Sequence, residues 1–320
     1  MEVTQVLHMN GGDGDYSYSN NSLVQRMVIS MTKPIMEEAL TDLYFAMNFP
    51  KTLTMADLGC SSGSNTFLVA LEFIKILDNI RQKVGHTEFP EMQIYLNDLP
   101  HNDFNAIFDS LSKFHQNIAT QIASPTSLPP CYFSGVAGSF YTRLFLSNNF
   151  LMFLQYRAKE MVTGGRMVLT FLGRRSDDPC SKECCYIWEL LAMALNDMVS
   201  EGLIEEGKMD SFNIPQYTPC AEEISNEVDK EGSFTINRLD ISEVNWDAYA
   251  DNNPNPSTNS VRGYNVANCM RAVAEPLLVT HFGESIIEEV FIRYKNIITD
   301  RMSKEKTEFI NVTVSMTRNC

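Results

Sequence analysis

Two spacings of apolar residues recur along the chain, one typical of strands and the other of helices. Four short apolar runs predict buried strands, over 53–58, 92–98, 131–136 and 165–173. After the first run, helical spacing predicts a helix that carries Phe67, Ala70, Leu71, Ile74 and Leu77. This alternation of strands and helices predicts an α/β fold with a mostly parallel sheet.

The end of the chain predicts a final strand with one face buried, because apolar and polar residues alternate over 310–317. The stretch before that strand has helical spacing over 187–199, 265–282 and 284–302. We therefore predict a single unit over 1–320 that is built in two parts. They are a Rossmann-like core with an N-terminal arm (1–175 and 304–320) and an inserted, mainly helical cap (176–303).

Composition narrows the class of partner. The chain has 320 residues, a net charge of −15 and 44% hydrophobic residues, which is ordinary for a globular protein. Because nucleic-acid binding needs a basic surface, the negative charge argues against nucleic acid as a partner. It does not exclude a small anionic substrate, since the field in a pocket can differ from the net charge.

Two further features bear on the cellular setting. No apolar run is long enough to span a bilayer, and the first residues lack the regions of a secretory signal. The eight cysteines lack the spacing of a zinc ribbon or a redox pair. We therefore expect reduced thiols, no membrane partner and a cytoplasmic location.

A glycine- and serine-rich turn after the first predicted strand carries the clearest chemistry. Asp57 lies at the end of that strand, and the turn runs Gly59-Cys60-Ser61-Ser62-Gly63-Ser64-Asn65. A strand, a Gly-rich turn and a helix place backbone N–H groups over a ligand. The spacing is neither that of a dinucleotide fingerprint nor that of a P-loop.

The second predicted strand also ends in an acid, Asp98, which suits both hydroxyls of a ribose. Acids at two strand ends suit a ligand with an amino group and hydroxyls better than one with a pyrophosphate. With the turn, they point to S-adenosylmethionine. The alternative from the residues alone is structural, with Asp57 as the cap of the next turn and Asp98 as the cap of a helix near Asn102.

Several separate segments resemble one plant family. They are Gln5–Gly12, Ser17-Tyr18, Asn21–Gln25, Asp57–Gly63, Asn97–Asn105, Gly138–Tyr141 and Phe212–Tyr217. The family consists of SABATH-type S-adenosylmethionine-dependent methyltransferases, which methylate salicylate, benzoate, jasmonate and, in another branch, purine alkaloids. The resemblance runs nearly end to end and is nearest to the salicylate and benzoate branch. It implies a class I methyltransferase fold with an inserted helical cap.

The resemblance implies which residues hold the methyl donor. The expected donor contacts are Tyr18, Ser22, Asp57, Cys60, Asn65, Asp98, Leu99, Ser139 and Phe140. Asp98 would take the ribose hydroxyls, and Ser139 and Phe140 would flank the adenine. Asp57 and Ser22 would lie beside the donor.

The resemblance also implies a pocket for a small aromatic acid. Gln25 would hydrogen-bond its carboxylate, and the pocket wall would be formed by Leu172, Ile187, Trp188, Met270 and Phe309. Each of these apolar residues has an ordinary alternative in the core. A benzoic acid is already ionised at neutral pH, so no general base and no catalytic residue is assigned. Catalysis would rest on orientation and on removal of water from the carboxylate.

Two further implications concern a metal ion and assembly. Some relatives carry magnesium near the segment that matches Asp210, Phe212 and Asn213, where a carboxylate, a carbonyl and an amide would supply oxygen ligands. The alternative is a turn after a helix with Asp210 as a cap, and no catalytic role is expected for the ion. Relatives are commonly dimers, so a homodimer is a further expectation.

One segment of the family pattern is missing. After Phe145 the chain passes through Leu146–Asn149 directly into Phe150–Arg157, which resembles the later part of a helix. A strand, its loop and part of a helix are absent, roughly the 30–45 residues of a βαβ crossover unit. The missing strand would lie beside the strand that ends at Asp57, and its loss would leave unpaired backbone groups on both neighbours.

This loss leaves three interpretations of the function. In the first, the chain is an active carboxyl methyltransferase for salicylate or benzoate. In the second, it is a truncated relative that binds the donor weakly or not at all. In the third, which the Gln25 segment disfavours, it is a jasmonate carboxyl or purine N-methyltransferase. The residues that would choose between salicylate and benzoate belong to the missing segment.

Overall fold

A computed structural model describes residues 9–12, 14–122, 129–139, 150–214, 216–247 and 259–320. The strands are β1 (Thr52–Leu58), β2 (Glu91–Asp98), β3 (Cys131–Ala137), β4 (Arg166–Gly173), β5 (Phe234–Asn245) and β6 (Glu308–Arg318). All five strands predicted from the apolar pattern are confirmed.

One or more helices precede each of these strands along the chain. They are α1 (Tyr18–Asn21), α2 (Leu23–Ala46), α3 (Ser64–Lys83), α4 (Phe104–Asp109), α5 (Leu111–Gln121), α6 (Phe150–Glu160), α7 (Lys182–Ser200), α8 (Glu206–Ser211), α9 (Ala221–Glu231), α10 (Asn259–Phe282) and α11 (Ile287–Lys304). A 3-10 turn, Glu284–Ile286, joins α10 to α11. The helix predicted after the first strand is α3, and its apolar face includes the fully buried Ile74 and Ile76.

The first sheet is parallel and has the strand order β1-β2-β3. Its register pairs Leu58 with Asn97 and Asp98 with Ala137. Because parallel strands end at the same edge, the turns that follow all three strands meet there. This carboxyl edge carries the glycine-rich turn.

The second sheet has the strand order β4-β6-β5. Gly165 bonds to Arg318 at one end and Thr170 to Thr313 further along, so β4 and β6 are antiparallel. The backbone bond from Trp246 N to Thr307 O, at 3.2 Å, extends the pairing of β5 and β6 beyond the end of β5.

Among the described strands, β1 has a partner on one side, and β4 likewise has one neighbour. β1 is therefore an edge strand of a three-stranded sheet, as expected when the strand beside it is missing.

β6 differs from its prediction. The alternation predicts one buried face, but residues 310–316 are buried without interruption, including Asn311, Thr313 and Ser315. β6 is the middle strand of its sheet, and the burial pattern shows that both of its faces are covered. The Thr313 hydroxyl is tolerated on a buried face because it forms a 3.1 Å hydrogen bond with the Thr170 hydroxyl.

The stretch between β4 and β6 is less helical than the sequence predicts, because it contains β5. Charged side chains conceal the β pattern of this strand. Arg238 lies 2.8 Å from Glu38 and 2.6 Å from Asp240. Of the apolar residues of β5 only Phe234 and Val244 are buried, whereas Ile236, Leu239 and Ile241 are not.

The chain forms two compact units, each with its own apolar core. The first unit comprises Met1–Met27, Phe171–Ala221 and Ile241–Val312, and its core contains Leu191, Leu278 and Val290. The second unit comprises Val28–Thr170, Glu222–Asp240 and Thr313–Cys320, and its core contains Ile74, Ile94 and Ile118. The expected boundaries of a core and a cap stay a prediction. Within the described ranges, no helix is both long and apolar enough to cross a membrane.

Candidate functional site

The turn after β1 has an unusual backbone conformation. Gly59 and Ser61 have positive φ angles of 83° and 54°, a region that glycine enters freely and serine seldom. The N–H groups of Gly59 and Cys60 both donate to Asn97 O at 2.9 Å. The Thr66 hydroxyl donates to Cys60 O at 2.8 Å. The turn is therefore fixed by β2 on one side and by α3 on the other.

Asp98, at the end of β2, binds this turn directly. Its Oδ2 accepts from Ser61 N at 2.5 Å, and its Oδ1 accepts from Leu99 N at 2.7 Å. The Asn102 side chain donates to Ser61 O at 3.0 Å, so Ser61 is held through both its N–H and its carbonyl. A carboxylate oxygen has two lone pairs, so Asp98 keeps acceptor capacity for a ligand.

The helix cap that would give Asp98 a purely structural role is supplied by another residue. The nearby helix is α4, and its N-cap is Asp103, whose side chain accepts from Ala106 N at 3.0 Å. The Asp98 carboxylate therefore does not cap α4 and instead accepts a hydrogen bond from the glycine-rich turn.

Asn97 joins the ends of β2 and β3 and was not singled out by the sequence reasoning. It is buried, and its Nδ2 donates to Val136 O and to Gly138 O, each at 2.8 Å. Its Oδ1 is buried and has no hydrogen-bond partner among the described residues. Its position next to Asp98, at the start of the family-like segment Asn97–Asn105, is the sequence signal that could have identified it.

Two acids and a thiol give this edge its electrostatic character. Burial, and then the charge of Asp98, raises the pKa of the half-buried Asp57 to about 7. Burial and both carboxylates raise the pKa of the Cys60 thiol far above neutrality. Cys60 is therefore a neutral thiol and not a nucleophile. The edge favours a cationic ligand with N–H and O–H groups.

The other expected donor contacts are divided between the two units. Asn65 in the first turn of α3, Leu99 after β2 and Ser139 after β3 belong to the second unit, with Asp57, Cys60 and Asp98. Tyr18 begins α1 and the buried Ser22 follows it, and both belong to the first unit. Phe140 lies outside the described residues.

The expected acceptor residues all belong to the first unit. Gln25 is half-buried in α2, with its Nε2 atom 3.9 Å from the Cys269 sulfur. Met270, the next residue along α10, is 6% exposed and is part of the core of this unit.

Two small cavities in the first unit are lined by the remaining acceptor residues. Leu172, Ile187 and Phe309 line the first cavity, whose volume of about 10 Å³ has room for roughly one water molecule. Trp188 lines the second cavity, of about 150 Å³. The cavities share Gln216 and Thr218, so they are neighbours. The structure thus brings three expected residues together and places Trp188 in the adjoining space.

Comparison with known proteins decides the family. A sequence profile of the family described as "SAM dependent carboxyl methyltransferase" matches residues 4–152 and 146–319. The chain belongs to this family.

The methyltransferase is similar to characterised plant enzymes over nearly its whole length. It is 52% identical over 368 positions to S-adenosyl-L-methionine:benzoic acid/salicylic acid carboxyl methyltransferase 3 of Petunia hybrida, covering 99% of each chain. It is 49% identical to the salicylate carboxymethyltransferase of Clarkia breweri, again covering 99% of each. Among solved structures it resembles a loganic acid methyltransferase with SAH, at a TM-score of 0.79, 26% identity and 98% and 99% coverage. The predicted class I methyltransferase fold is confirmed.

The same comparisons reveal a gap inside the methyltransferase. The alignment with the Petunia enzyme has 368 positions against 320 residues in this chain, so at least 48 positions face a gap. The two segments that match the family profile overlap at 146–152, which places the break there. The predicted loss of a segment after Phe145 is confirmed.

The strand-end residues fit S-adenosylmethionine, the donor of this family. This molecule carries a sulfonium cation, an amino group and ribose hydroxyls. Asp57 and Asp98 offer carboxylate oxygens that suit such groups. Gly59 and Gly63, with positive φ, allow the backbone to approach a ligand closely. The roles of the individual residues stay predictions.

An aromatic cluster beside the first cavity was missed by the sequence reasoning. The Trp246 ring is 3% exposed and lies 5.7 Å from Tyr186 and 5.8 Å from Phe309 between ring centroids. Its indole Nε1 has no acceptor in the described part of the chain. Burial, followed by a hydrogen bond to Glu305, raises the pKa of Tyr186 to about 12. Trp246 follows β5, the strand that the sequence did not predict, so no pattern pointed to it.

The expected magnesium ligands lie on an exposed turn. Asp210 lies in the last turn of α8 and is exposed, and so is Asn213. The Phe212 ring packs against Phe282, with 4.9 Å between the ring centroids. Within the described ranges, no three His, Cys, Asp or Glu side chains converge as metal ligands. A single exposed carboxylate is a weak ligand set for a hard cation. Magnesium stays a prediction, and no chemical step is assigned to it.

Proposed function

We propose that this methyltransferase transfers a methyl group from S-adenosylmethionine to the carboxylate of salicylate or benzoate, giving a methyl ester. The observation that carries the proposal is the 52% identity, over 99% of both chains, to an enzyme named for these two acids. The salicylate enzyme at 49% identity supports the same substrate class. Jasmonate and purine substrates are not favoured by these relatives.

On the donor side, the carboxyl edge of the first sheet supports the proposal. When bound, the donor supplies an electrophilic methyl group on a positively charged sulfur. Asp98 takes the ribose hydroxyls with the lone pairs that Ser61 and Leu99 leave available. Asp57 lies beside Asp98 and, when ionised, adds the charge that a cationic donor favours.

On the acceptor side, the chemistry needs orientation more than acid–base groups. The carboxylate of a benzoic acid is already ionised at neutral pH, so it attacks without a base. Gln25 orients it through a hydrogen bond, the aromatic ring packs against Trp188 in the larger cavity, and Leu172, Ile187 and Phe309 exclude water from the adjoining space. Because charge is neutralised as the ester forms, an apolar pocket favours the transition state over the separated ions.

Methyl-labelled donor tests this function directly. The protein is incubated with salicylate, benzoate, jasmonate and xanthosine in separate reactions. We expect label in the methyl ester of salicylate or benzoate. Label in xanthosine alone would refute the carboxylate assignment. If the protein binds the donor by calorimetry but labels none of the acids, it is the truncated, inactive relative.

The setting and assembly of the protein are part of the proposal. We infer a cytoplasmic location, because Cys60, Cys131, Cys180 and Cys269 are free thiols. A small aromatic acid is the expected partner and nucleic acid is not, since the net charge is −15. A homodimer stays a prediction that light scattering can test.

A further inference from the structure

The N-terminal arm (residues 9–12 and 14–22) is fastened to α10 within the first unit. Asn10 N donates to Ala272 O at 2.9 Å, and Tyr18 N donates to Asn10 O at 2.8 Å. The first bond ties the arm to the helix, and the second ties the start of α1 to the arm. Tyr18 and Ser22, the expected donor contacts of this unit, are therefore placed by how the arm is held.

Arg271 on α10 places a guanidinium group with a fixed orientation against this arm. Its side chain is buried, at 5% exposure for the residue. Its Nε donates to Glu275 Oε2 at 2.5 Å, and its Nη1 donates to Glu288 Oε2 at 3.1 Å. One carboxylate lies a turn further along α10 and the other on α11, so together they fix the plane of the guanidinium.

Tyr16 of the arm lies on this guanidinium. The Arg271 Cζ atom is 3.7 Å from the centroid of the Tyr16 ring, and 5.4 Å from that of Phe291 on α11. A guanidinium at the shorter distance is attracted to the face of the ring. Tyr16 is two residues before Tyr18, so the stack acts close to the expected donor contacts.

We propose that Arg271 and Tyr16 form a latch that positions the N-terminal arm and thereby sets the affinity for the methyl donor. The proposal rests on the proposed function, in which Tyr18 and Ser22 contact the donor. Arg271 is a positioning residue, because it acts through Tyr16. Without the stack, the arm becomes ordered only when the donor binds. The loss of conformational entropy of the arm then weakens the binding free energy of the donor.

Changing the ring while leaving the arginine and its carboxylates intact tests the latch. In Tyr16→Leu we expect the donor KM, and the Kd for S-adenosylhomocysteine by calorimetry, to rise about five- to tenfold, the range of a partly desolvated cation–π contact. At saturating donor, kcat stays within about twofold. Tyr16→Phe keeps the ring, so it should restore the donor KM to nearly the wild-type value.

Arg293 on α11 offers a matched control for Arg271. It also pairs with two carboxylates, Glu289 at 2.6 Å and Glu201 at 2.8 Å, but no described aromatic ring lies over it. Arg271→Met should therefore raise the donor KM, whereas Arg293→Met should leave it unchanged even where the melting temperature falls. Equal effects of the two substitutions on the donor KM would reduce Arg271 to a purely structural role.

Hydrogen exchange of residues 9–22 separates the latch from the proposed function, since it needs neither donor nor acceptor. Faster exchange of the arm in Tyr16→Leu than in wild type, with Tyr16→Phe unchanged, supports the latch even if no aromatic acid is methylated. Equal exchange in all three proteins, or an unchanged Kd for S-adenosylhomocysteine in Tyr16→Leu, overturns it.

Discussion

The Asp98 carboxylate accepts a hydrogen bond from the Ser61 N–H, with 2.5 Å between Oδ2 and N. Ser61 has a φ angle of 54°, in a region that costs a non-glycine residue free energy. Asp98 therefore stabilises a strained turn in addition to its proposed role toward the donor. Because the bond forms across two strand ends, it orders the turn before any ligand arrives.

The Asp98 side chain should be essential for donor binding. We expect Asp98→Ala to lose at least about 1.5 kcal/mol of binding free energy for S-adenosylhomocysteine, roughly a tenfold rise in Kd. Asp103→Ala is a matched control, because it removes the α4 cap and costs about 1 kcal/mol of stability. Calorimetry should show normal affinity in the control, and equal affinities of Asp98→Ala and wild type would contradict the assignment.

Donor affinity should depend on pH through Asp57. The folded-state pKa of about 7 means that Asp57 is mostly protonated below that pH when no ligand is bound. A cationic donor favours the ionised form, so the affinity should fall as pH drops below 7, by up to about tenfold per unit. Titrations at pH 6 in buffers of different ionisation enthalpy should show proton release on binding. Asp57→Asn should bind more weakly at pH 8 and show little pH dependence.

The same residue has the opposite effect on the stability of the ligand-free protein. A folded-state pKa raised above the ordinary value of 3.8 contributes stability below pH 4 that is lost as pH rises toward about 7. Asp57→Asn should thus unfold at a higher urea concentration than wild type at pH 8. An unchanged difference between the two proteins from pH 5 to pH 8 would show that Asp57 is not perturbed.

Asn97 should matter for stability more than a typical strand amide. Asn97→Ala removes two hydrogen bonds from a buried side chain to carbonyl groups, Val136 O and Gly138 O, and should cost about 2 kcal/mol. Gln93→Ala on the same strand is the control, since Gln93 is less buried and its Nε2 donates to Tyr132 O at 3.3 Å and to the Ser134 hydroxyl at 3.1 Å. Urea unfolding should place the control within about 1 kcal/mol of wild type. Similar midpoints for both variants would mean that Asn97 does not join the strand ends.

Met270 and Leu172 should respond to truncation in different ways. Met270 is 6% exposed and Leu172 43% exposed. Met270→Ala should lower the free energy of unfolding by about 2–5 kcal/mol, because it leaves a cavity in the core. Leu172→Ala should cost less than about 1.5 kcal/mol and change mainly the KM for the aromatic acid. Urea unfolding and acceptor kinetics together decide whether each residue acts as core or as pocket.

Restoring the missing segment should improve the protein. Inserting the corresponding segment of the Petunia enzyme within 146–152 would supply a neighbour for β1 and pair its open backbone groups. We expect a higher melting temperature and a higher kcat/KM for salicylate or benzoate. A melting temperature and activity equal to those of the parent would show that the present chain already compensates for the loss.

Much of the fold was predictable because local pattern and burial agree. β1, β2 and α3 are short apolar runs or amphipathic repeats, so their sequences reveal them directly. β5 was not predictable, since Arg238 and Asp240 form ion pairs along it. The burial of Asn311 and Ser315 on β6 was also hidden, because it depends on the cover over both faces of β6, which the sequence of β6 does not encode.

The carboxyl edge of the first sheet was more predictable than the cavities of the first unit for a similar reason. Asp57 and Asp98 lie at the ends of strands, and parallel strands bring their ends together. The bond from Ser61 to Asp98 and the bridging by Asn97 depend on turn geometry, which no residue pattern specifies. Trp246 lines the first cavity from a region after β5, at long sequence distance from Tyr186, so only the folded chain shows their proximity.

The open edge of β1 predicts that protein concentration affects measurements on this protein. The backbone groups of β1 are paired on the β2 side alone among the described strands, and the edge of one molecule is chemically complementary to extended segments of another. Specific activity should therefore decline as stock solutions become more concentrated and recover on dilution while the association is reversible. Yield during expression would then be governed by crowding of nascent chains as much as by the stability of the finished fold.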